Sequence, residues 1–302
     1  MSRPAPAPLG TVAHYTLLER LPPAGPGDLY RARDTHRGRT VTVRLLPAGF
    51  TADPAAFLAA ARSLIALSHP NVIALFDAGT HDGRLFLVFE YLHGQSLRSE
   101  MAGRTVNVRR AVDLAVQMTD AVADAHAAGF LHSGLSPDSI AVTAKGHAKI
   151  PALELAAHGG LEDAAGSVRL RDYESPEEAR GERPDERADV FSLGAILYEM
   201  LTTRRPNHRG AAAPGASNPH VPKELDEVVL KAVAPNRDNR HQSAAALAAE
   251  LRRVAASVDA RGGAGDEEDV PVEPAVSTSR VLAIAALILA VVALAAWWLM
   301  RG

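Results

Sequence analysis

Residues 281–300 constrain this chain more than any other segment. They are 20 consecutive residues without a charged side chain, bracketed by Arg280 and Arg301. At about 1.5 Å per residue a helix of that length spans roughly 30 Å, the thickness of a bilayer's hydrocarbon core. Ten of the 20 are Leu, Ile or Val, each contributing roughly −0.3 to −0.6 kcal/mol to insertion. Trp297 and Trp298 stand at one end, where interfacial anchors belong. A buried core helix would not confine its charges to the two ends, so the segment is read as a transmembrane helix.

The first ten residues are Pro- and Ala-rich, with no apolar run of the kind that opens a secretory signal. The body is therefore expected in the cytoplasm, with a single-pass C-terminal anchor in the cell membrane. Residues 259–280 collect Gly262, Gly263 and Gly265 and the acidic run Asp266, Glu267, Glu268, Asp269, and read as a flexible, self-repelling linker. Residues 1–14 read as a disordered N-terminus.

What remains, residues 15–258, is long enough for a substantial core, and 47% of the whole chain is hydrophobic. The formal net charge of −3 excludes the overall basicity of a nucleic-acid coat, and no nucleic-acid partner is expected. Without cysteine there is no disulfide, thiolate metal site or thiol nucleophile. The twelve histidines share no ligand spacing, so no metal site is expected.

Along the body, Val41, Val43 and Leu45 alternate with polar residues. A second β-rich run, residues 85–92, follows the turn signal Asp82-Gly83. One helix interrupts these strands around residues 54–67. Beyond Leu97 the pattern turns helical: Leu114, Met118 and Val122 share a face of a segment stopping at Gly129, and residues 189–201 are apolar nearly all round. Two amphipathic helices follow, on Leu225, Val228, Val229 and on Leu247, Leu251, Val254. The expected class is α+β: a small β-rich N-lobe, residues 15–92, and a larger helical C-lobe, residues 93–258.

Six ordered motifs then carry a family resemblance. They are Leu29-Tyr30-Arg31-Ala32-Arg33-Asp34, His69-Pro70-Asn71-Val72, Ala125-His126-Ala127-Ala128-Gly129, Ser175-Pro176-Glu177, the run Asp189-Val190-Phe191-Ser192-Leu193-Gly194 into Leu197-Tyr198-Glu199-Met200-Leu201, and Arg240 before Gln242-Ser243-Ala244. In this order and spacing the body resembles the bacterial Ser/Thr protein kinases, which implies a two-lobed protein-kinase-like fold.

Phosphoryl transfer in that family needs a cation on the phosphates, ligands for Mg²⁺ and a base for the substrate hydroxyl. The resemblance places other residues at each of those positions. The glycine loop reads Pro22-Pro23-Ala24-Gly25-Pro26-Gly27, keeping Gly27 where proline elsewhere removes N–H groups. The strand lysine is Arg44, and no lysine precedes Lys145. Arginine is a planar fork, not a point charge. The helix glutamate falls at Ala60. In the catalytic loop His132-Ser133-Gly134-Leu135-Ser136-Pro137-Asp138-Ser139, base, lysine and metal-binding asparagine become Gly134, Ser136 and Ser139, and the metal aspartate becomes Ala152. Asp138 and Glu154, the acids near the site, read as solvated loop carboxylates.

The resemblance also assigns residues that hold architecture. Leu64, Leu75, His132 and Leu153 would stack between the lobes with Asp189 anchoring the base, and Glu177 would pair with Arg240. Gly27, Leu29, Thr42, Glu90 and Leu92 would line what is left of a nucleotide pocket, giving at most weak, Mg²⁺-independent ATP binding with no required cofactor. The implied function is a membrane-tethered pseudokinase, catalytically inactive, that docks other proteins such as an active kinase or its substrates. The rival readings are a divergent ATP-dependent phosphotransferase using Arg44 and the displaced acids, and a nucleotide sensor without turnover.

Overall fold

The computed structural model describes residues 8–22, 27–51, 53–151, 172–207 and 209–262. The chain divides into two units, Met1–Asp259 and Ala260–Gly302. The apolar segment 281–300 and most of the expected linker lie outside the described residues. Among the described residues no helix is long and apolar enough to cross a membrane.

The N-lobe is a six-stranded antiparallel sheet in the order β1-β2-β3-β4-β6-β5, with β1 Gly10–Val12, β2 Tyr15–Arg20, β3 Asp28–Asp34, β4 Arg39–Leu45, β5 Leu75–His81 and β6 Arg84–Glu90. β6 lies between β4 and β5, and a hydrophobic cluster covers each of its faces, so Leu85, Phe86, Leu87 and Val88 are all buried. The two-residue period of the strand sorts them. Phe86 and Val88 join Val12, Tyr15, Leu17, Ala32, Val41 and Val43 in one cluster. Leu85 and Leu87 join Leu46, Leu75 and Ala78 with Phe57, Ala61 and Leu64 of helix α1, Pro54–Leu64, in the cluster that continues into the C-lobe.

Two boundaries differ from the sequence reading. β1 lies within the stretch expected to be disordered: Ala13, at φ 48°, turns the chain back, and Thr11 and Val12 pair with Thr16 and Tyr15. Helix α1 stops at Leu64, not Leu67. The Ile65, Ala66 and Leu67 amides bond three residues back, to Arg62, Ser63 and Leu64, and Pro70 disfavours helical backbone at His69.

In the C-lobe, β7 Gly94–Ser96, β8 Ala141–Thr143 and β9 Ala148–Lys149 form a three-stranded sheet. The helices are α2 Leu97–Met101, α3 Val108–Ala127, α4 Pro176–Ala179, α5 Glu186–Thr202, α6 Lys223–Ala232 and α7 Ala244–Gly262. Every residue of α5 from Ala188 to Thr202 is buried, which explains its apolar surround. Helix α3 buries Leu114, Met118 and Val122; α6 buries Leu225, Val228 and Val229; α7 buries Leu247, Leu251 and Val254. Helix α7 runs four residues past the expected boundary at 258.

Candidate functional site

The cleft side of the N-lobe is set by strand register. Leu29 pairs with Arg44 across β3 and β4, and Arg44 and Thr42 pair with Leu87 and Phe89 across β4 and β6, so Leu29, Thr42 and Arg44 share one face. All three are half-buried. Burial pushes the Arg44 guanidinium down from the usual arginine range. Ala60, half-buried on α1, offers no carboxylate, and none occurs on that helix.

Gly27 has a structural reason to be glycine. Its φ is 83°, and a Cβ there would stand 2.3 Å from the Leu45 carbonyl oxygen. The next residue, Asp28, accepts from Arg20 at 2.6 Å and Arg84 at 3.3 Å, and Arg84 Nε donates to the Leu46 carbonyl at 2.9 Å. The strand entry after the loop is thus tied to the end of β4. Residues 23–26 lie outside the described residues.

The Glu90 side chain is engaged by Lys149. Lys149 Nζ lies 2.7 Å from Glu90 Oε2 and donates to the Val72 carbonyl at 3.4 Å. Leu92, beyond the strand, is half-buried. A second bond set joins the same regions: Asn71 Nδ2 donates to Gln117 Oε1 at 3.0 Å and to the Ala148 carbonyl at 2.7 Å, and the Ala148 amide donates to Gln117 Oε1 at 2.9 Å.

The catalytic-loop region is built on Asp189. This carboxylate is 1% exposed and accepts from the His132 amide at 2.8 Å and the Ser133 amide at 2.9 Å, with His126 Nε2 at 2.8 Å. Burial alone would raise its pKa, but these donors and the two histidines leave it below the usual carboxylate range. They also hold Ser133 at φ 47°, a left-handed conformation that serine rarely adopts. His132 is 6% exposed, and neither ring nitrogen has a hydrogen-bond partner among the described residues. Burial lowers its pKa against the opposing pull of Asp189.

Gly134 is under no comparable constraint. Among the described residues a Cβ there would meet nothing nearer than 3.9 Å, the His132 carbonyl oxygen. Ser136 and Ser139 bond to each other's backbone and hydroxyl: Ser139 Oγ donates to the Ser136 carbonyl at 3.0 Å and accepts from the Ser136 amide at 3.3 Å. Asp138 is not an isolated loop acid. Arg98 Nε donates to its Oδ2 at 3.3 Å, while Arg98 Nη1 donates to Glu199 Oε1 at 2.7 Å. Tyr173 Oη closes this group, accepting from Arg98 and donating to Glu199. Burial, with Glu199 adding to it, pushes the Tyr173 hydroxyl up to about 12.

Glu177, at the start of α4, receives Arg240 Nη1 at 2.6 Å and Nη2 at 2.7 Å. Leu64 and Leu75 are buried in the cluster shared by both lobes. Ala152, Leu153 and Glu154 lie outside the described residues. Among the described residues no group of three or more His, Asp or Glu could hold a metal ion.

Sequence reasoning missed the Arg98–Tyr173–Glu199 group and the Lys149–Glu90 pair. A signal for the first was present: Glu199 is an acid on a helix apolar nearly all round, and a buried carboxylate needs a donor. Its partner Arg98 is 101 residues away, a separation no local pattern encodes.

With this architecture and site in view, comparison with known proteins assigns the class. The protein kinase domain family matches residues 21–254. The chain is 34% identical over 268 residues to the serine/threonine-protein kinase PknB of Mycolicibacterium smegmatis, covering 80% of this chain and 43% of that protein. Against PknB of Mycobacterium tuberculosis the identity is 32% over 266 residues, covering 80% and 42%. The crystal structure of the Mycobacterium tuberculosis PknI kinase domain superposes with a TM-score of 0.68 at 22% identity, over 82% of this chain and 99% of that one, a likeness of fold. The chain belongs to the protein kinase family, and its relatives are bacterial Ser/Thr kinases. It spans about two fifths of the length of those PknB proteins.

Proposed function

We propose that this chain is a membrane-tethered pseudokinase, a regulatory or interaction module of bacterial Ser/Thr kinase signalling that does not itself transfer phosphate. One observation carries the reading. Where the kinase resemblance expects the base stands Gly134, with no described residue crowding it, and Ser136 and Ser139, two and five residues on, spend their hydroxyls on the loop itself. Among the described residues nothing requires glycine at that position. The polar contacts that support the loop from below, Asp189 to His132 and Ser133, are present. A chain that keeps the scaffold of a catalytic loop without its reactive groups fits a role in binding.

The other positions add to this. The cation facing the cleft is the desolvated fork of Arg44, and the Glu90 carboxylate is held by Lys149. Phosphate clamp, metal ligands and base act as a unit, so their joint replacement removes many orders of magnitude of rate. Residues 281–300 supply the anchor, with the body on the cytoplasmic side.

Thermal unfolding of the purified chain with ATP, with and without Mg²⁺, separates the readings. No shift is expected. A shift independent of Mg²⁺ would favour a nucleotide sensor, and a Mg²⁺-dependent shift with phosphate incorporation would favour a divergent phosphotransferase.

A further inference from the structure

We infer that residues 71–74 and Lys149 form an inter-lobe latch, which fixes how the two lobes sit relative to each other whatever occupies the cleft. The chain passes from one lobe to the other at residues 92–93, and a crossing of a few loop residues is the kind of joint about which lobes hinge. A second attachment accompanies it. Residues 71–74, between α1 and β5, belong to the N-lobe by chain order but pair with the C-lobe. Val72 and Ile150 form a parallel bridge, the Ile73 amide donates to the Ile150 carbonyl at 2.8 Å, and the Ile150 amide donates to the Asn71 carbonyl at 2.8 Å. Val72 is 2% exposed and Ile150 is fully buried, both in the hydrophobic cluster that spans the lobes.

Side chains close both ends of this short pairing. At one end Asn71, inside the motif His69-Pro70-Asn71-Val72, donates from Nδ2 to Gln117 Oε1 on α3 at 3.0 Å and to the Ala148 carbonyl at 2.7 Å. The Ala148 amide donates to the same Gln117 oxygen at 2.9 Å. At the other end Lys149, on β9, has Nζ 2.7 Å from Glu90 Oε2 and donates to the Val72 carbonyl at 3.4 Å. One ammonium therefore touches the end of β6 and the 71–74 strap from a C-lobe strand. The Glu90 amide donates to the Ala74 carbonyl at 2.9 Å, which completes the ring of contacts. The Lys149 and Glu90 side chains are 15% and 30% exposed, so water and salt screen this pair less than a surface pair. A rotation of the lobes about residues 92–93 must either shear 71–74 from Ile150 or draw Lys149 away from Glu90. Lys149 is thus a positioning residue for the cleft. The latch goes beyond the non-catalytic reading and does not depend on it.

The chain contains no cysteine, so two introduced cysteines define the spin-label sites. The test is double electron–electron resonance on the full chain in phosphatidylcholine nanodiscs, with nitroxides at Arg37→Cys and Arg253→Cys, exposed positions on the two lobes. Lys149→Met keeps the aliphatic stem and removes the ammonium. It should widen the inter-lobe distance distribution about 1.5-fold or more and speed hydrogen exchange at the Ile73 and Ile150 amides about tenfold. Glu90→Gln removes the same pair from the other side and should reproduce both effects, which keeps the test decisive if one variant does not fold. Lys231→Met breaks a pair of equal length within the C-lobe, Lys231 Nζ to Glu250 Oε1 at 2.7 Å. It should leave the width within about 1.2-fold of the parent. An unchanged width in Lys149→Met and Glu90→Gln would overturn the assignment even if exchange were faster, because the contacts would then order the strap alone. Equal widening by Lys231→Met would mean general loosening and would overturn it as well. Phosphate incorporation from ATP by the parent would remove the non-catalytic reading and leave the distance result standing.

Discussion

Arg240 places two nitrogens on the two oxygens of Glu177, at 2.6 and 2.7 Å, and neither residue exposes more than 2% of its surface. The remaining donors of the same guanidinium go to the carbonyls of Ala234 at 2.8 Å, Arg187 at 2.9 Å and Pro235 at 3.2 Å. One side chain thus ties the start of α4 to the loop before α7 and to α5. Burial raises the Glu177 pKa and Arg240 more than reverses it, leaving the carboxyl below its usual range.

Removing Glu177 leaves a buried guanidinium without its counter-charge, which costs about 3–5 kcal/mol. Asp138→Ala breaks a half-exposed pair with Arg98, and pairs of that kind contribute about 0–1 kcal/mol. Chemical denaturation should therefore rank Glu177→Ala far below Asp138→Ala in midpoint. The double variant Glu177→Ala with Arg240→Ala should be less destabilised than the sum of the two singles. Similar midpoints for Glu177→Ala and Asp138→Ala would show that the pair does not dominate.

That pair was legible through the kinase resemblance, because Glu177 and Arg240 each sit inside one of the motifs that carry it, beside Ser175-Pro176 and Gln242-Ser243. The lobes were legible for a related reason: the two-residue period of β4 and the all-round apolarity of α5 are local consequences of burial. The surroundings of Asp138 were not, since its partner Arg98 lies 40 residues away on a helix with no sequence mark of its own. Hairpin β1–β2 was hidden by its shortness; β1 has three residues and two are exposed. The roles assigned to Ala152 and Leu153 fall outside the described residues.

Gly134→Asp should fold with an unfolding midpoint within about 1 °C of the parent, because among the described residues a Cβ at this site touches nothing nearer than 3.9 Å. Restoring one group among several missing ones should leave phosphate incorporation from ATP at background. Measurable transfer by this variant would mean that the phosphate and metal sites are intact, and the non-catalytic reading would fall.

Gly27→Ala should destabilise the chain by several degrees, since the new methyl would stand 2.3 Å from the Leu45 carbonyl in a backbone conformation unsuited to alanine. Gly49, also at positive φ but with none of the described residues within 4 Å of a Cβ, provides the control for backbone strain alone. If Gly27→Ala and Gly49→Ala shift the midpoint equally, close approach to Leu45 is not what fixes glycine there.

Acid should weaken the fold in two stages. His132 is buried with its pKa lowered, facing Asp189, which favours the imidazolium, and His126, which opposes it. The unfolded chain then binds a proton near pH 6.5 that the folded chain resists. Stability is full above that value and declines as the pH falls below it. His241, also lowered by burial, acts in the same direction. Glu177, Asp189 and Asp34 have pKa values lowered by folding, so their contribution is present above the ordinary carboxylate range and is lost as pH falls through it, below about 4.5. His132→Phe removes the ring that titrates while keeping the backbone amide that Asp189 accepts, so denaturation midpoints between pH 7 and 5.5 should fall less steeply than in the parent. The carboxylate stage below pH 4.5 should persist in both proteins. Parallel slopes between pH 7 and 5.5 would show that protonation of His132 does not contribute to the acid sensitivity of the C-lobe.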